Sequence, residues 1–157
     1  NGLHQYDYVV IDCPPSLGVL TLSALCAVDD VFRPLQPHYL ALHGLSKLLA
    51  TLSLVRRRLN ERLRLAGVVF CLYDSGTRLA SEVSADVARY FSSPVYDDVH
   101  LFRTRIRRNI RLAEAPSFGQ SIFQYAPDSA GAEDYRALAD EVGVIYNGLF
   151  AARREAA

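Results

Sequence analysis

The sequence contains no methionine, only three cysteines and no net charge, with 17 Lys and Arg balanced by 17 Asp and Glu. Without a methionine, the opening NGLHQYDYVV does not read as the natural start of a protein, and the expectation is part of a longer one. Cys13, Cys26 and Cys71 are odd in number and lack metal-ligand spacing, which argues against a disulfide framework and fits a reduced, cytosolic compartment. No apolar run approaches the ~20 residues of a membrane span, and Asn1 opens no secretory pattern. Zero net charge means that any nucleic-acid affinity must come from local clustering. Intrinsic disorder is excluded, because 50% of the residues are hydrophobic and 22% charged. Length 157 suits one domain or part of one, 1–150 with a frayed tail at 151–157, and neither repeats nor low-complexity segments interrupt it.

What is present begins with YDYVVIDCPPSLG, Tyr6 to Gly18. Tyr8, Val9, Val10 and Ile11 form a short apolar, largely β-branched run that stops at Asp12. Pro14 and Pro15 cannot donate to a sheet ladder, so a strand there ends before them. Ser16 then suits the N-cap of a helix over Leu17 to Val28. A strand that delivers one carboxylate to its C-terminal edge, ahead of a turn and a helix, has the Walker B arrangement. In open α/β sheets ligands bind at that edge, and in P-loop NTPases such an Asp serves Mg²⁺. An ordinary strand–turn–helix whose Asp caps a turn remains the alternative.

Farther along, Val31 to Leu35 reads as a second strand, ended by Pro34 and Pro37. Leu40 to Leu59 has apolar residues recurring at three and four, finishing in Arg56, Arg57 and Arg58, where cations suit a helix C-terminus. Gly67 to Leu72 is a continuous apolar run, the mark of a strand covered on both faces, followed by turn residues Tyr73 to Gly76. Leu79 to Phe91 is helical, Val95-Tyr96 is a candidate short strand, and Leu112 to Tyr125 is loop-rich with a candidate edge strand at Ser121 to Gln124. A last helix runs from about Ala132 to Phe150. Strands alternating with helices imply right-handed crossovers and a mainly parallel sheet.

Arg103, Arg105, Arg107, Arg108 and Arg111 crowd together with no carboxylate among them; the nearest in sequence are Asp97, Asp98 and Glu114. Forked guanidinium donors suit phosphate oxygens, and neutralising several phosphates gives sequence-independent affinity. The competing reading is a solvated loop, or one arginine paired with Asp97-Asp98. Charge alone leaves open whether the phosphate belongs to DNA or to a nucleotide.

Taken together, YDYVVIDCPPSLGVLTLSAL, ALHGLSKLL, the LYD after the third strand, RNIRLAEAPSFGQSI and YAPDSAGAEDYRALADEV resemble the ParA/Soj partition ATPases, of the deviant Walker A group that includes MinD. The resemblance runs in order from Tyr6 to about Val142 and corresponds to the C-terminal part of the family. It implies a partial P-loop NTPase-like α/β fold, a mainly parallel sheet flanked by helices, lacking the N-terminal P-loop strand and helix. It further implies ATP and Mg²⁺ as cofactors, an ATP-bound homodimer, non-specific DNA binding, a ParB-like partner and a cytoplasmic, nucleoid-associated location. By position, Asp12 would act on Mg²⁺ through its water shell, and Pro14, Pro15 and Gly18 would form the switch loop. Arg108 and Asn109 would lie near the adenine-side loop, and Arg103 to Arg111 would contribute to the DNA face.

Departures from the family pattern bear on activity. No KGGxGKT-type segment and no Gly-Lys-Ser/Thr occurs. Without those amides, that lysine and that hydroxyl the anion cradle is absent, so no catalytic residue is assigned and the chain alone is expected not to hydrolyse ATP. The stretch from Val95 to Phe102 is several residues longer than the usual pattern, Arg107 replaces a usual Pro, and His38 and His43 replace residues commonly acidic. The alternative function is a nucleotide-independent DNA-binding or interaction module. The MinD-like membrane branch fits poorly, because Ala151 to Glu155 is too short and polar to anchor.

Overall fold

The computed structural model describes residues 5–6, 8–14, 16 and 18–155, with side chains described to residue 146. Its elements in order are α1 (Val19–Ala27), β1 (Asp30–Leu35), α2 (Ala41–Arg58), β2 (Arg64–Tyr73), α3 (Arg78–Phe91), β3 (His100–Arg107), α4 (Ile110–Glu114), α5 (Ile122–Tyr125) and α6 (Ala130–Glu155). Single 3₁₀ turns occupy Pro94–Tyr96 and Ala115–Phe118. The three strands form one parallel sheet in the order β1-β2-β3. The expected parallel sheet flanked by helices is therefore present.

β2 is the spine because its side chains are taken up on both faces. Leu65, Val68, Phe70 and Tyr73 join Leu25 of α1, Leu45, Leu52 and Val55 of α2, and Val87 and Phe91 of α3 in one core. Val69 and Cys71 face the other way, with Phe102 and Ile106 of β3 and Leu138, Val142 and Ile145 of α6. The result is three layers, with α1, α2 and α3 on one side and α6 on the other. Asn60 closes the α1 end: its Nδ2 donates to the carbonyls of Leu25 (3.0 Å) and Val28 (2.7 Å), which the helix itself leaves unpaired. Asp30 joins the two layers at the start of β1, accepting from Arg64 Nε at 2.5 Å and from the Tyr146 hydroxyl of α6 at 2.9 Å.

Several expectations fail in instructive ways. Tyr8 to Ile11 is not a strand: described residues 8–14 carry no regular structure, and Val9, Val10 and Ile11 are exposed. A β-branched run supplies the side chains for a buried strand, but the ladder needs a neighbour, and no described strand pairs with it. The N-cap of α1 is Gly18 rather than Ser16, whose carbonyl instead accepts from the Thr21 hydroxyl at 2.7 Å. Val95-Tyr96 lies in a 3₁₀ turn because Pro94 sits at its first position and the Tyr96 hydroxyl bonds Tyr90 at 2.9 Å. Ser121 to Gln124 is no edge strand; Ser121 and Gln124 form a reciprocal capping box that starts α5. The stretch read as loop-rich contains α4, a 3₁₀ turn and α5. The last helix is assigned through Glu155; of the tail expected to fray, side chains 151–155 and all of 156–157 lie outside the described residues.

The arginine run proves to be mostly strand. His100 to Arg107 is β3, in which Leu101, Arg103 and Arg105 alternate with Phe102, Thr104 and Ile106. Val68 and Phe70 of β2 pair with Leu101 and Arg105, so four residues of β3 span two of β2 and the extra length bulges between them. Gly67 permits the crossing beneath it, since a Cβ there would lie 2.5 Å from the Phe102 ring and 2.9 Å from the His100 carbonyl.

Candidate functional site

The C-terminal ends of the three strands, at Leu35, Tyr73 and Arg107, share one edge of the sheet. In open α/β architecture that edge is where ligands bind. β2 reaches it through an irregularity. Leu72 has φ 51°, the one described non-glycine residue with positive φ, a conformation a branched side chain adopts at a cost. The kink carries Tyr73 onto the α3 side although Cys71, two residues earlier, faces α6. The Tyr73 carbonyl then accepts from the Arg108 N–H at 3.1 Å, which fixes the end of β3 against that of β2.

The five arginines meet different fates. Arg107 is held internally: its Nε donates to Asp134 at 2.9 Å and 3.1 Å, its Nη2 to Asp134 at 2.7 Å and Glu133 at 2.6 Å, and its backbone N–H to Asp134 at 2.8 Å. The hydrogen bonds to Asp134 and Glu133 drive its pKa upward, more than burial lowers it. Arg111 pairs with Glu114 at 3.0 Å, and the bonds to Glu114 and then Tyr125 raise its pKa as well. Arg105 lies over the Tyr73 ring, 4.4 Å from its centroid, and donates to the Tyr73 hydroxyl. Arg103 and Arg108 have no ion pair among the described residues. The acidic partners of the run are thus Glu114, Glu133 and Asp134, not Asp97-Asp98, and two of its five charges are spent on the protein itself.

Glu141 of α6 organises the bulge of β3. Its Oε1 accepts from the Arg103 N–H at 2.9 Å and lies 2.8 Å from His100 Nε2, while its Oε2 accepts from the Thr104 N–H at 3.0 Å. Burial alone would push its pKa up, but the bonds from His100, from those two amides and from the Thr104 hydroxyl hold it at about 2. A carboxylate fixed on the outer side of β3 also occupies N–H groups that an added strand would need.

Asp12 and Pro14 lie exposed in the irregular segment before α1, and Gly18 accepts the first helical bond from Leu22 at 3.0 Å. Pro15 lies outside the described residues. Asn109 caps α4, its Oδ1 accepting from the Arg111 N–H at 2.9 Å. The structure therefore brings Arg108 and Asn109 together with Tyr73, whereas Asp12 stands in a different segment. Among the described residues no three His, Cys, Asp or Glu side chains converge as a metal would require. Asp12 is the one carboxylate among described residues 8–14, and it is exposed, whereas a triphosphate and its metal call for converging amides and cations. Among those residues no helix is long and apolar enough to cross a membrane. Reading the sequence missed Tyr73, Glu133, Asp134 and Glu141. The alternation through HLFRTRIR was the available signal that the arginines sit on a strand with neighbours.

A parallel sheet between helical layers, with its loops gathered at one edge, defines the class as P-loop NTPase-like α/β. Solved structures agree: cobyrinic acid a,c-diamide synthase from Mycobacterium smegmatis superposes with TM-score 0.66 at 37% identity, over 88% of this chain and 47% of that one. The same enzyme with bound ATP analogue and magnesium gives TM-score 0.68 at 36% identity, over 91% and 49%. A family model described as an AAA domain matches residues 3–65. The chromosome-partitioning ATPase Soj of Thermus thermophilus is 52% identical over 87% of this chain and 53% of its own length. The sporulation initiation inhibitor protein Soj of Bacillus subtilis is 50% identical over 88% and 52%, and the chromosome partitioning protein ParA of Myxococcus xanthus 45% over 88% and 47%. The chain belongs to the ParA/Soj family and spans about half the length of these relatives.

Proposed function

We propose that this chain is the part of a ParA/Soj-type partition protein that carries the metal-side carboxylate, Asp12, and a DNA-facing cationic surface. The reading rests on one observation above others: about 50% identity to partitioning ATPases across nearly all of this chain but half of theirs. ATP and Mg²⁺ are cofactors of the larger assembly, with Pro14, Pro15, Gly18, Arg108 and Asn109 near the nucleotide. These residues do not hold the nucleotide unaided, because a triphosphate requires converging amides and cations that one exposed Asp does not supply. The cargo function would then require a homodimer, non-specific DNA, a ParB-like partner and residence at the nucleoid. Arg103 and Arg108, whose charges nothing in the described protein neutralises, support the DNA component.

Calorimetric titration of Mg-ATP into the chain, alongside fluorescence anisotropy with a labelled 30-base-pair duplex, tests the reading. No saturable ATP binding is expected, with duplex binding that weakens as salt rises. Saturable Mg-ATP binding would overturn the claim that the nucleotide site is incomplete. Loss of the DNA signal at low salt, with ATP binding absent as well, would leave the family without its expected function here.

A further inference from the structure

An open groove of about 400 Å³ between α3 and β3 carries charge of one sign only. Its α3 wall is Ser81, Ala85 and Ala88, exposed small side chains that share one helix face. Its β3 wall is Leu101, Arg103 and Arg105. No carboxylate lines it. Glu82 and Asp86 of α3 pair instead with Arg78 at 2.7 Å and Arg89 at 3.0 Å, and Glu141 is taken up by His100 and two backbone N–H groups. Neither Arg103 nor Arg105 has an ion pair among the described residues. Arg105 rests on the Tyr73 ring, which steadies it without cancelling its charge.

The opposite charge stands between the same two elements. There the chain makes the 3₁₀ turn Pro94–Tyr96 and continues into Asp97 and Asp98, both exposed. Neither carboxylate forms an ion pair among the described residues. Arg64, which shares a second cleft with them, is committed to Asp30 at 2.5 Å. Beside them Val95 is 82% exposed. The turn is held firmly all the same: Tyr96 stacks on Tyr90 with centroids 5.2 Å apart and meets Phe91 edge-on at 5.2 Å. An acidic protrusion with an apolar tip therefore stands on the same molecule as a cationic groove with a wall of alanines, and within one copy the two do not pair. Ala85, Ala88 and Leu101 give an apolar side chain a bed and give a phosphate nothing.

We infer that this groove takes the Val95–Asp98 turn of a second copy of the chain. Asp97 and Asp98 meet Arg103 and Arg105, and Val95 lies against Ala85 and Ala88. Groove and turn belong to the same pair of elements, so a two-fold axis lets each copy supply both halves and doubles the contact. Zero net charge removes the long-range repulsion that would oppose the approach. The contact uses none of the residues assigned to the nucleotide and does not depend on the DNA reading. An acidic segment of another protein is the competing occupant.

Sedimentation equilibrium tests the contact on the full chain carrying Val9→Lys/Val10→Lys, so that association through the apolar residues before α1 does not mask it. At protein concentrations of about 10–300 µM, the range of a small charged interface, this parent should dimerise. Its dissociation constant should rise about tenfold between roughly 50 mM and 500 mM salt. Arg103→Glu and Asp97→Lys, neither of which removes an internal ion pair, should each weaken dimerisation about tenfold with unchanged circular dichroism, because each sets like charges face to face. Mixed in equal amounts, the two variants should associate again about as tightly as the parent, since the reversed charges complement one another. R103E/R105E mixed with D97K/D98K repeats the exchange with both charges of each side. A parent that stays monomeric throughout, folded variants that dimerise as well as the parent, or mixtures that recover nothing would each overturn the inference. A monomeric parent that binds polyglutamate, with binding lost in Arg103→Glu, would overturn it in favour of an acidic segment of another protein.

Discussion

At the residue scale, the tightest constraint is Gly67. Any side chain there meets the Phe102 ring at 2.5 Å and the His100 carbonyl at 2.9 Å, and the second of these is backbone that cannot swing aside. Gly67→Ala should therefore cost about 1–3 kcal/mol in urea denaturation, as overpacking does in a filled core. An unchanged midpoint would mean that β3 does not cross so closely. Asp134 is the second such residue, with a side chain 9% exposed that takes four bonds from Arg107. Asp134→Ala should lower stability by about 2 kcal/mol, since it strands the Arg107 donors, yet change duplex affinity little. That Arg107 is structural was not legible in the sequence. Its partner lies 27 positions away, and only the fold brings α6 to the end of β3.

At the scale of elements, Glu141 joins α6 to the bulge of β3 and makes stability depend on pH with a definite sign. In the fold its carboxyl is held at about 2, below the ordinary glutamate value of 4.5, so its contribution is fully present above about 4.5 and is lost as pH falls through about 2. Wild type and Glu141→Gln should therefore differ most near neutral pH, and their denaturation midpoints should converge as pH approaches 2. A gap independent of pH would show that the carboxylate charge is not what pins Arg103 and Thr104. The sequence showed β1, α2, β2, α3 and α6 within a few residues, because each carries its own apolar period and its own stop signals. It hid β3, where arginines at alternate positions look like a charge cluster although Phe102 and Ile106 supply the buried face. α5 was legible in principle, for S-x-x-Q at Ser121 to Gln124 is a capping box, but four residues rich in β-formers resemble an edge strand equally well. Tyr8 to Ile11 shows the converse, in which a correct strand composition yields no strand without a neighbour to complete the ladder.

At the scale of the molecule, the outer edge of β1 and the apolar side chains around the start of α1 stand without cover among the described residues. β1 and β3 are the outer strands of a three-stranded sheet, and their situations differ. β3 is guarded, with Glu141 on the N–H groups of Arg103 and Thr104 and Asp134 on that of Arg107. No comparable carboxylate bonds the backbone of β1 among the described residues, and buried Arg33 Nε on that strand has no hydrogen-bond partner among them. The nearby sequence adds exposed apolar side chains, with Val10 90% exposed and Val19 and Leu20 of α1 79% and 76%. Unguarded strand edges and exposed apolar groups promote association, and the physical cost of leaving them in water rises with every such residue. The chain by itself should accordingly self-associate at micromolar concentration, as read by size-exclusion chromatography with light scattering. Val9→Lys/Val10→Lys should shift it toward monomer while leaving its circular dichroism unchanged, because neither side chain contributes to the described core. A wild-type chain that elutes as a monodisperse monomer with well-dispersed amide resonances would mean that residues 8–11 are accommodated within one copy. The apolar run would then owe nothing to an absent neighbour.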